Sequence, residues 1–205
     1  IKLENPLSVD QQLHLFQHDT DPFNRWESGQ NCLSHFIFNA VSAIQNNQTV
    51  DPLSDQLVET FRAILQRPLD DLAYQTLLLS LPSKAYLAEQ METIDVDALY
   101  QAHRLIKQNI ALSLKDLWTK NYQANHYVEA GHNPQSIAQR SFKNLCLDYL
   151  MALEGEAPLE LCIHQFEHAQ NMTDQIAALG QFTATSPQAY PDPSRSPLPV
   201  PAAPR

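Results

Sequence analysis

His164-Gln165-Phe166-Glu167-His168 is the segment of this chain whose residue types and spacing best suit chemistry. It reads H-x-x-E-H, the inverted zinc-protease pattern. On a helix, His164 and His168 share a face and Glu167 lies one turn from His164. Two imidazoles so placed can hold zinc while the carboxylate polarises a bound water. The pattern fixes only a few positions in a chain with 8 His and 23 Asp plus Glu, and no second pattern marks a third ligand. The preferred reading is therefore two polar-face histidines beside an apolar stripe through Phe166.

Other candidates are weaker. His14 and His18 also stand at i, i+4, with no base or further ligand nearby. His35, His103, His126 and His132 are isolated. A Cys–His nucleophile is conceivable from Cys32 and His35, or from Cys146 with any histidine, but nothing orients the base. The carboxylate pairs Asp70-Asp71 and Asp95/Asp97 fall at expected helix starts, where free N–H groups and the helix dipole explain them without catalysis. Asp19 to Glu27 packs two aromatics, an arginine and three acids into one short run. It reads as a rigid corner rather than a ligand-facing edge: Asp21 caps, Phe23 and Trp26 anchor, and Arg25 pairs with Glu27 or Asp19. No residue is assigned a catalytic, cofactor-binding or metal-binding role.

These side chains need elements to position them, and the chain spells those out as helices. Ser8 with Gln11 forms a capping box ahead of Leu13, Leu15 and Phe16. Asp21-Pro22 starts a long helix carrying Leu33, Phe36, Ile37, Ala40, Val41 and Ile44, ended by Asn46-Asn47. Asp51-Pro52 repeats the start signal before Leu57, Phe61, Ile64 and Leu65. Pro68 breaks that helix, Asp70 or Asp71 opens a short one over 72–81, and Pro82-Ser83 opens another. One helix is expected from Val96 to about Tyr122, with Leu99, His103, Ile106, Ile110, Leu114, Leu117 and Trp118 on one side. Asn133-Pro134 starts the next, Pro158 the one after, and Asn171 with Asp174 caps the last. No stretch alternates at period two for long. The expected fold is all-α: about nine helices in an irregular, HEAT/armadillo-like array of paired antiparallel helices.

The expected body is 1–182 and the expected tail 183–205. Residues 187–205 hold seven of the 14 prolines, so the tail is expected to be disordered and polyproline-like. The chain has 205 residues, a formal net charge of -10, and 43% hydrophobic residues, enough for a sizeable core. The acidic balance argues against a nucleic-acid face, which needs clustered positive charge. Only 4 Gly argue against phosphate-cradling loops. No apolar run approaches a membrane span. Cys32, Cys146 and Cys162 are widely spaced and odd in number, which disfavours a disulfide framework or a thiolate metal site and suits a reducing compartment. The start at Ile1, with no Met and no signal-like segment after it, points to a fragment or to a chain with missing residues.

Four segments carry a resemblance: Asp19 to Glu27 (DTDPFNRWE) continuing through Gly29-Gln30, Leu78 to Pro82 (LLSLP), Ala138 to Leu150 (AQRSFKNLCLDYL), and Gln165 to Leu179 (QFEHAQNMTDQIAAL). In that order they resemble the helical C-terminal domain of the bacterial aminopeptidase N family, the M1 zinc alanyl aminopeptidases of the cytoplasm. The likeness covers roughly residues 1–180. It implies a parent function of zinc-dependent removal of N-terminal residues from peptides, with this helical part closing over an active site built in another domain. The family's zinc motif H-E-x-x-H and its amine-gripping G-x-M-E-N do not occur in these residues. His164 to His168 has the wrong order and the wrong domain to stand in for them. Past about residue 182 the sequence departs from the family.

The resemblance thus implies a non-catalytic helical fragment, inactive alone, with no cofactor of its own and zinc held elsewhere. Its implied partner is the catalytic portion of an aminopeptidase N, with peptides engaged only in that context, in the cytoplasm, and with neither nucleic acid nor membrane. The alternative is a stand-alone acidic interaction module that favours basic partners and uses the Pro-rich tail as a ligand segment. A third reading is a small zinc enzyme built on His164, Glu167 and His168. Cutting an array in mid-stack is also expected to leave an apolar surface near 158–180 that drives self-association.

Overall fold

A computed structural model describes residues 7–67, 69–126, 133–153 and 155–185. Ten α-helices occupy these residues, with no strand among them: α1 (Val9–His18), α2 (Pro22–Gln45), α3 (Asp55–Gln66), α4 (Leu72–Leu79), α5 (Lys84–Ala88), α6 (Val96–Ser113), α7 (Lys115–Ala124), α8 (Pro134–Met151), α9 (Glu156–His168) and α10 (Met172–Thr185). The Pro-rich tail, the break at Pro68 and His132 lie outside the described residues.

Most helix starts are where the caps predict them. Ser8 and Gln11 close the capping box of α1 in both directions. Asp21, Asp71, Ser83, Asp95 and Asn133 each accept a backbone N–H two or three residues into their helices. Each such cap is worth about 1 kcal/mol.

Three expectations need correction. The third helix starts at Asp55, not at Asp51-Pro52. Ser54 Oγ accepts from the Leu57 N–H at 3.1 Å, and Leu53 and Val58, at the two positions of a hydrophobic staple, both pack on the core. The expected single helix over 96–122 is two helices. Leu114 takes φ -130 and ψ 22, serving as C-cap of α6 and N-cap of α7. Leu114 is itself buried, and the break sends α6 onto α2 while α7 packs on α3 and α8. That split makes ten helices rather than nine. Finally, α9 begins at Glu156, not Pro158. Gly155 precedes it with φ 118, a conformation open essentially to glycine alone.

The helices stack as a layered array. Chain neighbours α1 and α2, α7 and α8, and α9 and α10 pack on each other, while α8 also touches α4, α6 and α10. Its centre is aromatic. Trp118 stacks on Tyr149 with centroids 4.1 Å apart, and Phe61 meets both Phe16 and Tyr149 edge-on.

Glycine is too scarce here to end helices, so side chains from other elements do so. Gln75 Nε2 donates to the Ile64 carbonyl and Asn121 Nδ2 to that of Leu65, at the end of α3. Tyr149 Oη and Gln30 Nε2 donate to the Leu79 and Ser80 carbonyls, at the end of α4. Arg25 Nε donates to the Phe16 carbonyl, at the end of α1. Carbonyls of the last turn have no partner within their own helix, so each such bond ties one helix to another.

Candidate functional site

The end of α9 brings the sequence-marked histidines together. His164 and His168 stack with ring centroids 4.3 Å apart, and His126, just past α7, lies 5.5 Å from His164. His168 Nδ1 is 3.0 Å from the His164 carbonyl oxygen. A carbonyl only accepts, so Nδ1 carries the proton. Burial, with Lys143 and the neighbouring imidazoles, holds His126 below the ordinary histidine range. Glu167 is exposed. Among the described residues, no three His, Cys, Asp or Glu side chains converge to hold a metal ion.

Beneath this row lies a buried polar network. Lys143 of α8 bonds Asp174 Oδ2 at 2.5 Å, with both side chains about 5% exposed or less. Asn144 Nδ2 donates to Oδ1 at 3.0 Å and Asn171 Nδ2 to Oδ2 at 2.9 Å. Asn171 Oδ1 in turn accepts the Asp174 N–H, capping α10. Gln165 Nε2 donates to Asn144 Oδ1 and to the Asp174 carbonyl, while its Oε1 accepts from Tyr122 Oη. The QFEHAQNMTD run therefore supplies a clamp between α7, α8, α9 and α10. The paired histidines ride on its exposed side.

Cys32 is fully buried and His35 exposed, with Asn39 bonded to its ring. Burial pushes the Cys32 thiol up to about 12 and the Cys162 thiol up to about 11, and raises Cys146 further. A thiol so protonated is no nucleophile at neutral pH. His14 and His18 are tilted neighbours, 4.9 Å apart. Asp95 is lowered by the Ala98 N–H it caps and by Gln45. At the DTDPFNRWE corner the cap holds, but two expectations fail. Arg25 reaches the Phe16 carbonyl at 2.9 Å rather than a carboxylate, and Phe23 is 61% exposed, so only Trp26 packs on the core. Tyr74 Oη adds a bond to the Pro22 carbonyl.

Residue-by-residue reading missed one site. A cavity of about 250 Å³ opens between the α4–α5 connection, α6 and α8, and Lys84, His103, Lys107, Asp148 and Tyr149 are its ionisable lining. His103 Nε2 donates to the Pro82 carbonyl at 3.1 Å. Its pKa falls to about 4, chiefly from burial and then from Lys107 and Lys84, so the imidazole is neutral at pH 7. Lys107 pairs with Asp148 at 2.5 Å. One signal was present: His103 interrupts an otherwise apolar stripe of α6.

A family model described as "Domain of unknown function (DUF3458_C) ARM repeats" matches residues 9–192. The chain is 32% identical over 184 residues to the Aminopeptidase N of Escherichia coli K12, covering 90% of this chain and 21% of that protein. It is 29% identical to the Aminopeptidase N of Haemophilus influenzae, covering 89% and 21%, and 32% identical to that of Caulobacter vibrioides, covering 83% and 19%. The crystal structure of Legionella pneumophila aminopeptidase A in complex with aspartic acid superposes with a TM-score of 0.74 at 25% identity, covering 88% of this chain and 22% of that one. The chain thus spans about a fifth of the length of these relatives.

Proposed function

Because the chain belongs to the DUF3458_C ARM-repeat family, we propose that it is the non-catalytic helical part of a zinc-dependent aminopeptidase. The observation that carries this is the pairing of two coverages: nine-tenths of this chain aligns with Aminopeptidase N, yet only 21% of that protein is spanned. The whole enzyme would remove N-terminal residues from peptides, with zinc held in its catalytic portion. This chain's role would be to dock on that portion and help enclose the peptide. Residues 1–182 would be the domain body and 183–205 a Pro-rich appendage, and no side chain described above is assigned a catalytic or metal-binding role. A cytoplasmic setting fits the three buried free thiols. No helix of the described residues is long and apolar enough to cross a membrane.

The test is hydrolysis of an alanine-linked chromogenic amide by the purified 205-residue chain with added zinc. No turnover alone, together with co-purification of a separately expressed catalytic portion, is the expected result. Zinc-dependent turnover that vanishes in His168→Ala would overturn the reading and make the H-x-x-E-H segment a working site.

A further inference from the structure

The cavity between the α4–α5 connection, α6 and α8 plays no part in that reading, and its charge is opposite to that of the molecule. The chain carries a formal net charge of -10. Yet the cavity is lined by two lysines and a single carboxylate, Asp148. Both Asp148 oxygens are engaged, Oδ2 by Lys107 at 2.5 Å and Oδ1 by Gln181 Nε2 at 3.0 Å. Asp148 therefore cancels one ammonium and has little left to offer a cationic ligand.

Lys84 is not matched in this way. Its Nζ rests 3.9 Å from the centroid of the Tyr100 ring, and a ring face attracts an ammonium without supplying a full counter-charge. One neutral group of the lining can donate to a ligand. Ser83 Oγ already accepts the Tyr86 N–H, which leaves its O–H to donate. The rest of the lining includes apolar Leu81, Pro82 and Leu145.

We propose that this cavity binds a small monocarboxylate with a short apolar body, its carboxylate held by Lys84 and Ser83 and its body against Leu81, Pro82 and Leu145. The local excess is one positive charge, which a monoanion neutralises and a phosphate dianion overshoots. An ammonium–carboxylate hydrogen bond is among the stronger polar contacts available to such a site. The inference does not depend on the aminopeptidase reading.

N-acetyl-L-leucine is a suitable probe, titrated into the full 205-residue chain at low salt and followed by amide chemical shifts. Its neutral counterpart N-acetyl-L-leucinamide and inorganic phosphate form separate arms. The expected result is saturable shifts at Ser83, Lys84 and His103, with the amide and phosphate each roughly tenfold weaker. Lys84→Gln should weaken the acid about tenfold. It leaves the Lys107–Asp148 pair intact, so shifts elsewhere should persist and report an unchanged fold. Four results would each overturn the assignment: no saturable shift with the acid, equal binding of the amide, phosphate binding as tightly as the acid, or a Lys84→Gln variant that binds normally.

Discussion

Single side chains are most exposed to test where charge is buried. The Asp174 carboxylate accepts from Lys143, Asn144 and Asn171 in a site almost without solvent. Asp174→Ala strands the Lys143 ammonium, and breaking a buried pair from one side costs about 3–5 kcal/mol. Chemical denaturation should show that loss. The double variant Lys143→Met/Asp174→Leu should recover much of it, since a buried pair exchanged for apolar groups is often near neutral. His103 sets a pH dependence. With a folded pKa near 4 against an ordinary 6.5, the folded chain binds fewer protons than the unfolded one between those values. The contribution is whole above about 6.5 and is lost as pH falls toward about 4, by roughly 3 kcal/mol at most. Lys84 and Lys107 face the ring and deepen the effect, while Asp148 opposes it. His103→Gln should flatten the stability–pH slope across that window. An unchanged slope would place the proton uptake elsewhere, with His126, shifted the same way, the next group to replace.

Between helices, close approach decides outcomes that propensity alone predicts wrongly. Gly29 and Gly180 both sit inside helices, where alanine is ordinarily better by about 1 kcal/mol. A Cβ at Gly29 would stand 2.8 Å from two ring carbons of Phe16. That ring is fully buried and held edge-on by Phe61, so it has little room to yield. Overpacking of this kind costs about 1–3 kcal/mol, which outweighs the helix gain. At Gly180 nothing lies within 4 Å of the added atom. Thermal melts should therefore show Gly29→Ala lowering the midpoint and Gly180→Ala raising it. At Gly29, α1 and α2 meet with no space for a side chain.

On the scale of the molecule, one face lacks a neighbour among the described residues. Met172, Ile176 and Leu179 of α10 are 73%, 59% and 42% exposed, and steps of four and three place them on one side of the helix. Stacked helical repeats bury such stripes between neighbours. The isolated 205-residue chain is therefore expected to self-associate, with a sedimentation coefficient that rises with concentration. Ile176→Asp should remove that rise without altering helix content. A monomer at every concentration in the parent chain would show that the stripe is tolerated in water.

Helix identity was readable because its signals are local: Ser8 with Gln11, Asp21-Pro22 and Asn133-Pro134 each complete their hydrogen bonds within a turn. The all-α class is legible in such signals, whereas the family likeness rests on the runs DTDPFNRWE, LLSLP, AQRSFKNLCLDYL and QFEHAQNMTDQIAAL. The break at Leu114 left no trace in the chain, since neither Pro nor Gly stands there and only packing against two different partners bends the path. The start of α9 is hidden for a related reason: Pro158 has the look of a first-turn residue, while Gly155 supplies the backbone turn. The binding of Gln75, Asn121, Tyr149 and Gln30 to distant helix ends, and the meeting of Lys84, His103, Lys107 and Asp148 around one cavity, join residues far apart in the chain. Local pattern encodes where a helix begins and which face is apolar. Which side chains then meet across helices depends on crossing geometry, and only the folded chain decides that.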